Sequence, residues 1–511
     1  MLPGKLADRS AWYWPPLMGL LAIALRLLLL PLVPIPIPTV HDEFSYLLGA
    51  DTFASGRVTN PPHPMWIHFE TFHINFLPTY CSKYPPAQAL FLAFGQKVLG
   101  HPWFGVCLSI GVMMAAICWM LQGWVAQKYA LFTSLLVMLG WGITGPWVNS
   151  YWGGAVAAAG GALVIGAIPR LLRGPSGAAA LLGASGLVIL ANSRPFEGLL
   201  TAGAAGSIFA WRLYRTQRGR TLGLRTIVPF ALVTVSVVAA MGYYNYRTTG
   251  SVLVLPYTVN QRTYAASPLF YVFPAVQTPV YRHENLRTFW DDFVLGLYLD
   301  ARSHPLRTVI HSGRILSDFY LVNPFGLLIA AGILFSWGPE VRAALILLAA
   351  PMAGLSLAIG LRPHYLAPAF GALLILGAAG VQRIGRLKTA AAVTMAGVLG
   401  LSGGWAALSI QHEYREARKP PAAVAMRPAL IHRLQEIGGR HLVIVRYKPD
   451  HDVHSEWVYN RASIDASDIV WAQDMGTVGN RELLDYYRGR KVWLLRPDVD
   501  PESLTPYPGF S

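Results

Sequence analysis

Apolar positions in this chain run together over long stretches instead of alternating with polar ones. A helix needs about 20 mostly apolar residues to cross a bilayer. Runs of that kind lie near 12–33, 103–121, 129–147, 154–169, 177–192, 197–211, 226–244, 323–337, 343–361, 365–381 and 389–410, which predicts about 11 transmembrane helices. Several are rich in Gly and Ala, as in helices that pack closely on other helices. Lys5 and Arg9 precede the first run as they would a signal peptide. That run is too long for a signal core, and the Pro31–Pro38 stretch offers no small-residue cleavage site, so an uncleaved anchor is expected.

Three polar stretches interrupt the pattern. Residues 34–102 alternate Pro-rich and aromatic segments. Residues 245–322 are dense in Tyr, Arg and Pro, and their 303–320 part has basic and apolar residues at helical spacing, predicting a helix along the membrane surface. Residues 411–511 read as a small α/β domain: a helix over about 424–437 stopping at Gly438-Gly439, strands at 441–446 and 468–473, a helix near 480–488 and a strand at 491–496. The expected organisation is a transmembrane domain over 1–410, carrying outer loops 34–102 and 245–322, and a soluble extracytoplasmic domain over 411–511.

Composition supports this. Of 511 residues 54% are hydrophobic and 13% charged, against about 25% charged in soluble domains, which excludes disorder and most soluble classes. Three cysteines make no disulfide scaffold. Residues 1–410 hold 27 Lys and Arg against 12 acids and so carry the whole net charge of +15, while 411–511 are neutral. No nucleic-acid partner is implied; the basic excess belongs to membrane flanks. If the N-terminus is cytoplasmic, Lys5, Arg9, Lys128, Arg170, Arg173, Arg212, Arg215, Arg218, Arg220, Arg225, Arg342, Arg383, Arg386 and Lys388 fall on the inner side. The short inner loops then contain Glu340 and almost no other acid, and nearly every remaining acid of 1–410, with residues 411–511, falls outside, as in an integral protein of a bacterial inner (plasma) membrane.

Candidate chemistry gathers on that outer face. His41-Asp42-Glu43 follow the first run directly, and adjacent carboxylates at a membrane surface are costly to place. Asp42 or Glu43 is expected as a general base or cation ligand, against the plainer reading of a helix cap. Lys83-Tyr84-Pro85-Pro86, Asn192-Ser193-Arg194-Pro195-Phe196-Glu197 and Arg362-Pro363-His364-Tyr365 each put a cation at an outer boundary. Lys83, Arg194, Arg362, His364 and Tyr365 are candidate phosphate contacts, with Glu197 orienting Arg194; interfacial anchoring is the competing role. Trp147, Tyr151, Trp152 and Glu197 are candidate sugar or acceptor contacts, the aromatics otherwise belonging to an interfacial belt. His63, His68, Glu70 and His73 match no strong metal signature. His451 and His454 read as surface residues, and Asp498-Val-Asp500 as a turn. No cofactor is required by these motifs, although a divalent metal is compatible with the acids.

A first span leading into an outer Asp-Glu pair, a long first loop ending in Lys83-Tyr84-Pro85-Pro86, about eleven spans and a soluble outer segment together resemble the GT-C membrane glycosyltransferases, closest to the protein O-mannosyltransferase and lipid A aminoarabinose transferase group. The resemblance covers most of 12–382. It implies a hexosyl- or pentosyltransferase taking sugar from a polyprenyl-phosphate donor to a lipid, glycan or protein acceptor. Asp42 matches the family's first-loop acid, Lys83 a basic residue near the donor phosphate, and Arg362 to Tyr365, loosely, further phosphate contacts. Residues 411–511 do not resemble a β-trefoil. The rival reading is a transporter or flippase for lipid-linked sugars. It would place charges within the spans, whereas here Arg26 is the main one.

Overall fold

The computed structural model describes residues 12–216, 223–386, 389–419 and 422–508. Lys5, Arg9, Arg218, Arg220 and Lys388 of the expected inner face lie outside them. Every one of the eleven apolar runs contains a helix, but five helices among the described residues are long and apolar enough to cross a membrane: Trp103–Trp124, Gly154–Arg173, Leu224–Thr249, Pro363–Ile384 and Ala391–Arg418. The others are shorter or less apolar. Gln127–Val137 has 11 residues and gives way to a π-helical turn at Met138–Gly142; at 1.5 Å per residue it covers about half of a bilayer core. Pro305–Tyr320 meets Phe325–Phe335 at a bend of 110° and makes at most one further span.

The chain forms two compact units that do not follow its linear order. The first comprises Met1–Ile35, Trp103–Met241 and Ser303–Ala417. Its core is a continuous apolar cluster that includes Ile110, Met113, Ile117, Ile165, Leu347 and Leu374. Small residues set the helix spacing. A Cβ at Gly161 would lie 1.8 Å from the Pro368 carbonyl oxygen, and one at Gly332 2.0 Å from that of Leu376. Arg26 is fully buried and wholly internal to this unit: its guanidinium donates to Val33 O at 3.0 Å and Asn149 Oδ1 at 2.9 Å and covers the Trp103 ring at 4.6 Å.

The second unit gathers Pro36–Pro102, Gly242–Arg302 and Arg418–Ser511. It holds helices His41–Ala54, Pro86–Leu99, Pro256–Tyr264, Ala422–Ile437 and Gly476–Tyr486. Strands β1 (Ile74–Asn75) and β2 (Cys81–Ser82) form a short antiparallel hairpin. Strands β3 (His441–Val445), β4 (Ile469–Gln473), β5 (Lys491–Arg496) and β6 (Asp500–Pro506) form a sheet of order β4-β3-β5-β6, with β3 parallel to β4 and β5, and β6 antiparallel to β5. The last strand, β6, is an edge strand, where its prolines Pro501 and Pro506 are tolerated.

Successive side chains of a strand face opposite sides, and here both sides are buried. Val443, Val445, Trp471 and Leu495 pack with Leu430 and Leu434 of the Ala422–Ile437 helix. Leu442, Ile444, Val470 and Leu494 pack with Leu48, Met65, Phe69, Ile74, Phe76 and Tyr80 of the first polar stretch. That second face explains why the division of the chain differs from the linear one expected at 410/411. The sheet of 411–511 uses residues of 34–102 as its cover, and Phe72 shares a further cluster with Tyr264, Phe289, Trp290 and Val453.

Candidate active site

The hairpin and the His41–Ala54 helix build one site inside the second unit. Val40, before the helix, is extended, and Glu43 turns back over the helix start. Its Oε2 accepts from Thr39 N at 2.7 Å, Val40 N at 3.1 Å and Thr39 Oγ1 at 3.3 Å. Glu43 is buried and is the residue that caps the helix. The cap role considered for Asp42 thus falls to its neighbour. Asp42 is left in the first turn, where the helix dipole favours its charge, with a side chain 28% exposed.

Asp42 uses one oxygen for its neighbours. Oδ1 accepts from Tyr84 Oη at 2.5 Å and lies 3.2 Å from His73 Nε2. No partner is found for Oδ2 among the described residues. Pairing of Ile74 with Ser82 and of Asn75 with Cys81 brings His73 and Lys83, which flank the hairpin, across from each other. Lys83 Nζ donates to His73 Nδ1 at 2.7 Å, so the ring's proton sits on Nε2, toward Asp42. Burial, then the Lys83 charge, holds the His73 pKa well below the ordinary histidine range. The neutral ring therefore links a buried cation to a carboxylate.

His73 has φ of 62°, a left-handed conformation that costs a β-carbon residue about 1–2 kcal/mol. Its carbonyl is fixed by Ser45 Oγ at 2.6 Å and Lys83 N at 3.2 Å. Rings of Tyr84, Tyr257 and Trp290 surround the Lys83 ammonium at 5.1, 5.4 and 5.6 Å. His41 lies against Phe72 with ring centroids 4.3 Å apart and shares a 2.6 Å hydrogen bond with Tyr459 through Nδ1, while its buried Nε2 has no partner. Burial lowers its pKa strongly, with the His73 neighbour adding to the effect.

The histidine-rich stretch does not converge on a metal. His63 bonds Asp465 at 3.0 Å, and Glu70 accepts from Tyr264 at 3.0 Å and Arg282 at 3.4 Å. Among the described residues no group of three His, Cys, Asp or Glu is placed to hold an ion. His451, read as a surface residue, is buried and bonded to Asp498; His454 is exposed.

The remaining candidates belong to the first unit, where several meet. Arg194 lies 3.8 Å from Glu197 and covers the Tyr365 ring at 4.7 Å. His364 is buried, edge-on to Trp152 at 5.0 Å and to Tyr365 at 4.9 Å, and Arg362 is exposed beside it. Trp147 and Tyr151 are core residues, 4% and 2% exposed. Trp147 packs on Phe319 and Phe370, so its ring forms no open floor for a sugar; of the aromatic trio only Trp152 is part-exposed. Sequence reasoning missed His73 and Tyr84 as partners of Asp42. The adjacency of Tyr84 to Lys83 was visible; the left-handed turn that aims His73 was not.

No protein-family model matches the sequence, and no characterised protein matches it at the sequence level. At the level of structure, ArnT from Cupriavidus metallidurans bound to undecaprenyl phosphate superposes with a TM-score of 0.54 at 14% identity, over 96% of this chain and 94% of that one. The apo form of the same protein gives 0.53 at 13% identity with the same coverage. The fold is that of ArnT. The GT-C resemblance read from the Asp42-Glu43 pair and the order of spans and loops thus stands for the fold. Coverage of nearly both whole chains includes 411–511, so the C-terminal segment belongs to the ArnT fold as well. The Archaeoglobus fulgidus oligosaccharyltransferase aligns at a TM-score of 0.45 and 10% identity over 84% of this chain and 62% of that one, and adds nothing to this assignment.

Proposed function

We propose that this chain is an integral membrane glycosyltransferase that moves a sugar from a polyprenyl-phosphate donor to a hydroxyl group of a lipid, glycan or protein acceptor at the outer face of the membrane, with Asp42 as general base. The observation that carries the proposal is the division of labour at Asp42: Oδ1 is occupied by Tyr84 and His73, and Oδ2 is open. A carboxylate so fixed is oriented before substrate arrives. The ArnT fold supports the reaction class, since ArnT itself has been seen with undecaprenyl phosphate.

In this reading the acceptor hydroxyl gives its proton to Asp42 Oδ2 while its oxygen attacks the anomeric carbon. The bond from that carbon to the phosphate oxygen breaks, and its electron pair leaves with the lipid phosphate. Base catalysis of this kind contributes about 10²–10⁴-fold, and attack opposite the leaving group inverts the anomeric centre. Each well-placed cation on the leaving phosphate is worth roughly 3–4 kcal/mol. Lys83, Arg194 and Arg362 are proposed for that task and are to be tested one at a time. Glu43 is proposed only as the cap that sets the angle of Asp42. Against a transporter stands Arg26, the main charge in the apolar runs: its bonds to Val33 and Asn149 and its stacking on Trp103 give it a structural task.

The test is transfer by the purified full chain from synthetic polyprenyl-phosphate hexoses and pentoses, with and without Asp42→Asn. Transfer that falls at least about a hundredfold in the variant, with donor binding kept, is the expected result. No transfer from any such donor, or near-normal turnover of Asp42→Asn, defeats the proposal.

A further inference from the structure

The second unit contains a cavity of about 320 Å³ at the carboxyl ends of the parallel strands β3 and β4, the place where open α/β sheets take ligands. Arg446, Lys448 and His451 line it from the segment after β3, Gln473 from the end of β4, and Arg282 and Asn285 from the second polar stretch. None of these residues takes part in the arrangement around Asp42.

His451 is the informative member. Its side chain is 4% exposed and its ring stacks on Tyr447 at 4.0 Å. Nδ1 carries its proton to Asp498 Oδ1 at 2.7 Å, and the other Asp498 oxygen accepts from Lys448 N at 2.8 Å. His451 lines the cavity, and its Nε2 is buried and without a partner among the described residues. An unsatisfied buried polar atom destabilises the fold, and a bound hydroxyl would remove that cost. The charges at the wall are uneven. Asp474 is occupied by Arg446, Gly476 N and Asn480, and Glu284 by Arg287. Arg282 shares its charge with buried Glu70. The exposed Lys448 ammonium has no side-chain partner among the described residues and is the open cation.

We infer that this cavity is a second ligand site, which binds an anionic saccharide: its phosphate or carboxylate on Lys448 and Arg446, and a sugar hydroxyl on His451 Nε2. The volume suits one sugar ring with its charged group. The inference is independent of the transfer reaction assigned to Asp42. The saccharide arrives either as the head of a membrane lipid or free in solution.

Calorimetric titration of the full chain in uncharged detergent with glucose 6-phosphate, glucuronate, glucose and inorganic phosphate tests it. One saturable site for at least one of the two anionic sugars is expected, tighter than for glucose or inorganic phosphate. Lys448→Ala and His451→Phe should each weaken it by about tenfold or more; phenylalanine keeps the stack on Tyr447, and Lys448 is exposed, so its variant folds. Repeating the titration in nanodiscs separates the sources. Competition by acidic-headgroup glycolipids but not by phosphatidylcholine assigns the site to a lipid-borne saccharide, and binding indifferent to both assigns it to a free one. No saturable binding, equal binding of inorganic phosphate, or unchanged affinity in both variants overturns the inference.

Discussion

Lys83 Nζ stands 2.7 Å from His73 Nδ1, and the far nitrogen of the same ring stands 3.2 Å from Asp42 Oδ1. A buried ammonium thus acts on a half-exposed carboxylate through one neutral imidazole. In the proposed reaction the ring is a positioning group: it holds Oδ1 of Asp42 inward, and the other oxygen is the one proposed to meet substrate.

His73→Asn is the variant that isolates this role, because asparagine tolerates the left-handed backbone but cannot span from Lys83 to Asp42. Turnover should fall about 10- to 100-fold while KM for the donor changes little, as expected when an interaction that matters in the transition state is lost. Steady-state kinetics of the purified variant decide the matter. A normal kcat would show that the ring is only packing.

Glu43 separates stability from chemistry. Its three hydrogen bonds close the helix start, so Glu43→Ala should lose about 1–2 kcal/mol of stability, read as a lower thermal midpoint, with the folded fraction turning over within a fewfold of normal. Glu43→Gln keeps an acceptor and should be milder in both respects. A severe loss of turnover in well-folded Glu43→Gln would move the base one residue along.

Much of this architecture was legible in the chain, for reasons that can be named. The apolar runs announce their helices, and the strands at 441, 469 and 491 follow from short β-branched runs bounded by Gly or Asp. Asp42 stood out because acids are scarce in 1–410. What stayed hidden depends on long-range packing. The near-continuous apolar run of β3 signals a strand buried on both faces, yet nothing local says that Phe69 and Ile74, some 370 residues earlier, cover one of them. His73 acquires its meaning only from the hairpin register, and His451 only from Asp498. The choice between Asp42 and Glu43 turns on which side chain folds back over the helix, which their spacing alone leaves open.

Stability should fall in mild acid. Burial lowers the His283 pKa from 6.5 to about 4, its Nε2–H held by Ile67 O at 2.6 Å, and His41 and His73 are shifted the same way. Below pH 6.5 the unfolded chain takes up protons that these folded rings refuse, so stability drops as pH falls from about 6.5 toward 4 and is unaffected by them above that window. For His283 alone the full effect is roughly 3 kcal/mol. Burial raises Glu70 and Glu456, which favours the folded state in acid and offsets part of the histidine effect. The thermal midpoint should therefore be lower at pH 5 than at pH 7.5, and His283→Asn should flatten that slope. Equal midpoints at the two values would contradict the burial argument.

The sidedness of the second unit is open to a direct test, and the native cysteines favour it. Cys81, Cys107 and Cys118 are all buried, so a membrane-impermeant maleimide should label the unmodified chain little. Ser55, Val276 and Asp450 are exposed positions in the three stretches that form this unit. Because those stretches share apolar clusters, single cysteines at 55, 276 and 450 must behave alike. The stretches 170–173, 212–225 and 382–388 carry Lys or Arg and no acid, whereas 9 of the 12 acids of 1–410 lie in 34–102 and 245–322, so the rule that short cytoplasmic loops carry the Lys and Arg predicts these two stretches outside. All three should label in intact cells. Labelling of all three only after the membrane is opened would reverse the orientation and remove the outer-face reaction with it. A split, one position labelled and another protected, would contradict the packing of the loops onto the C-terminal sheet.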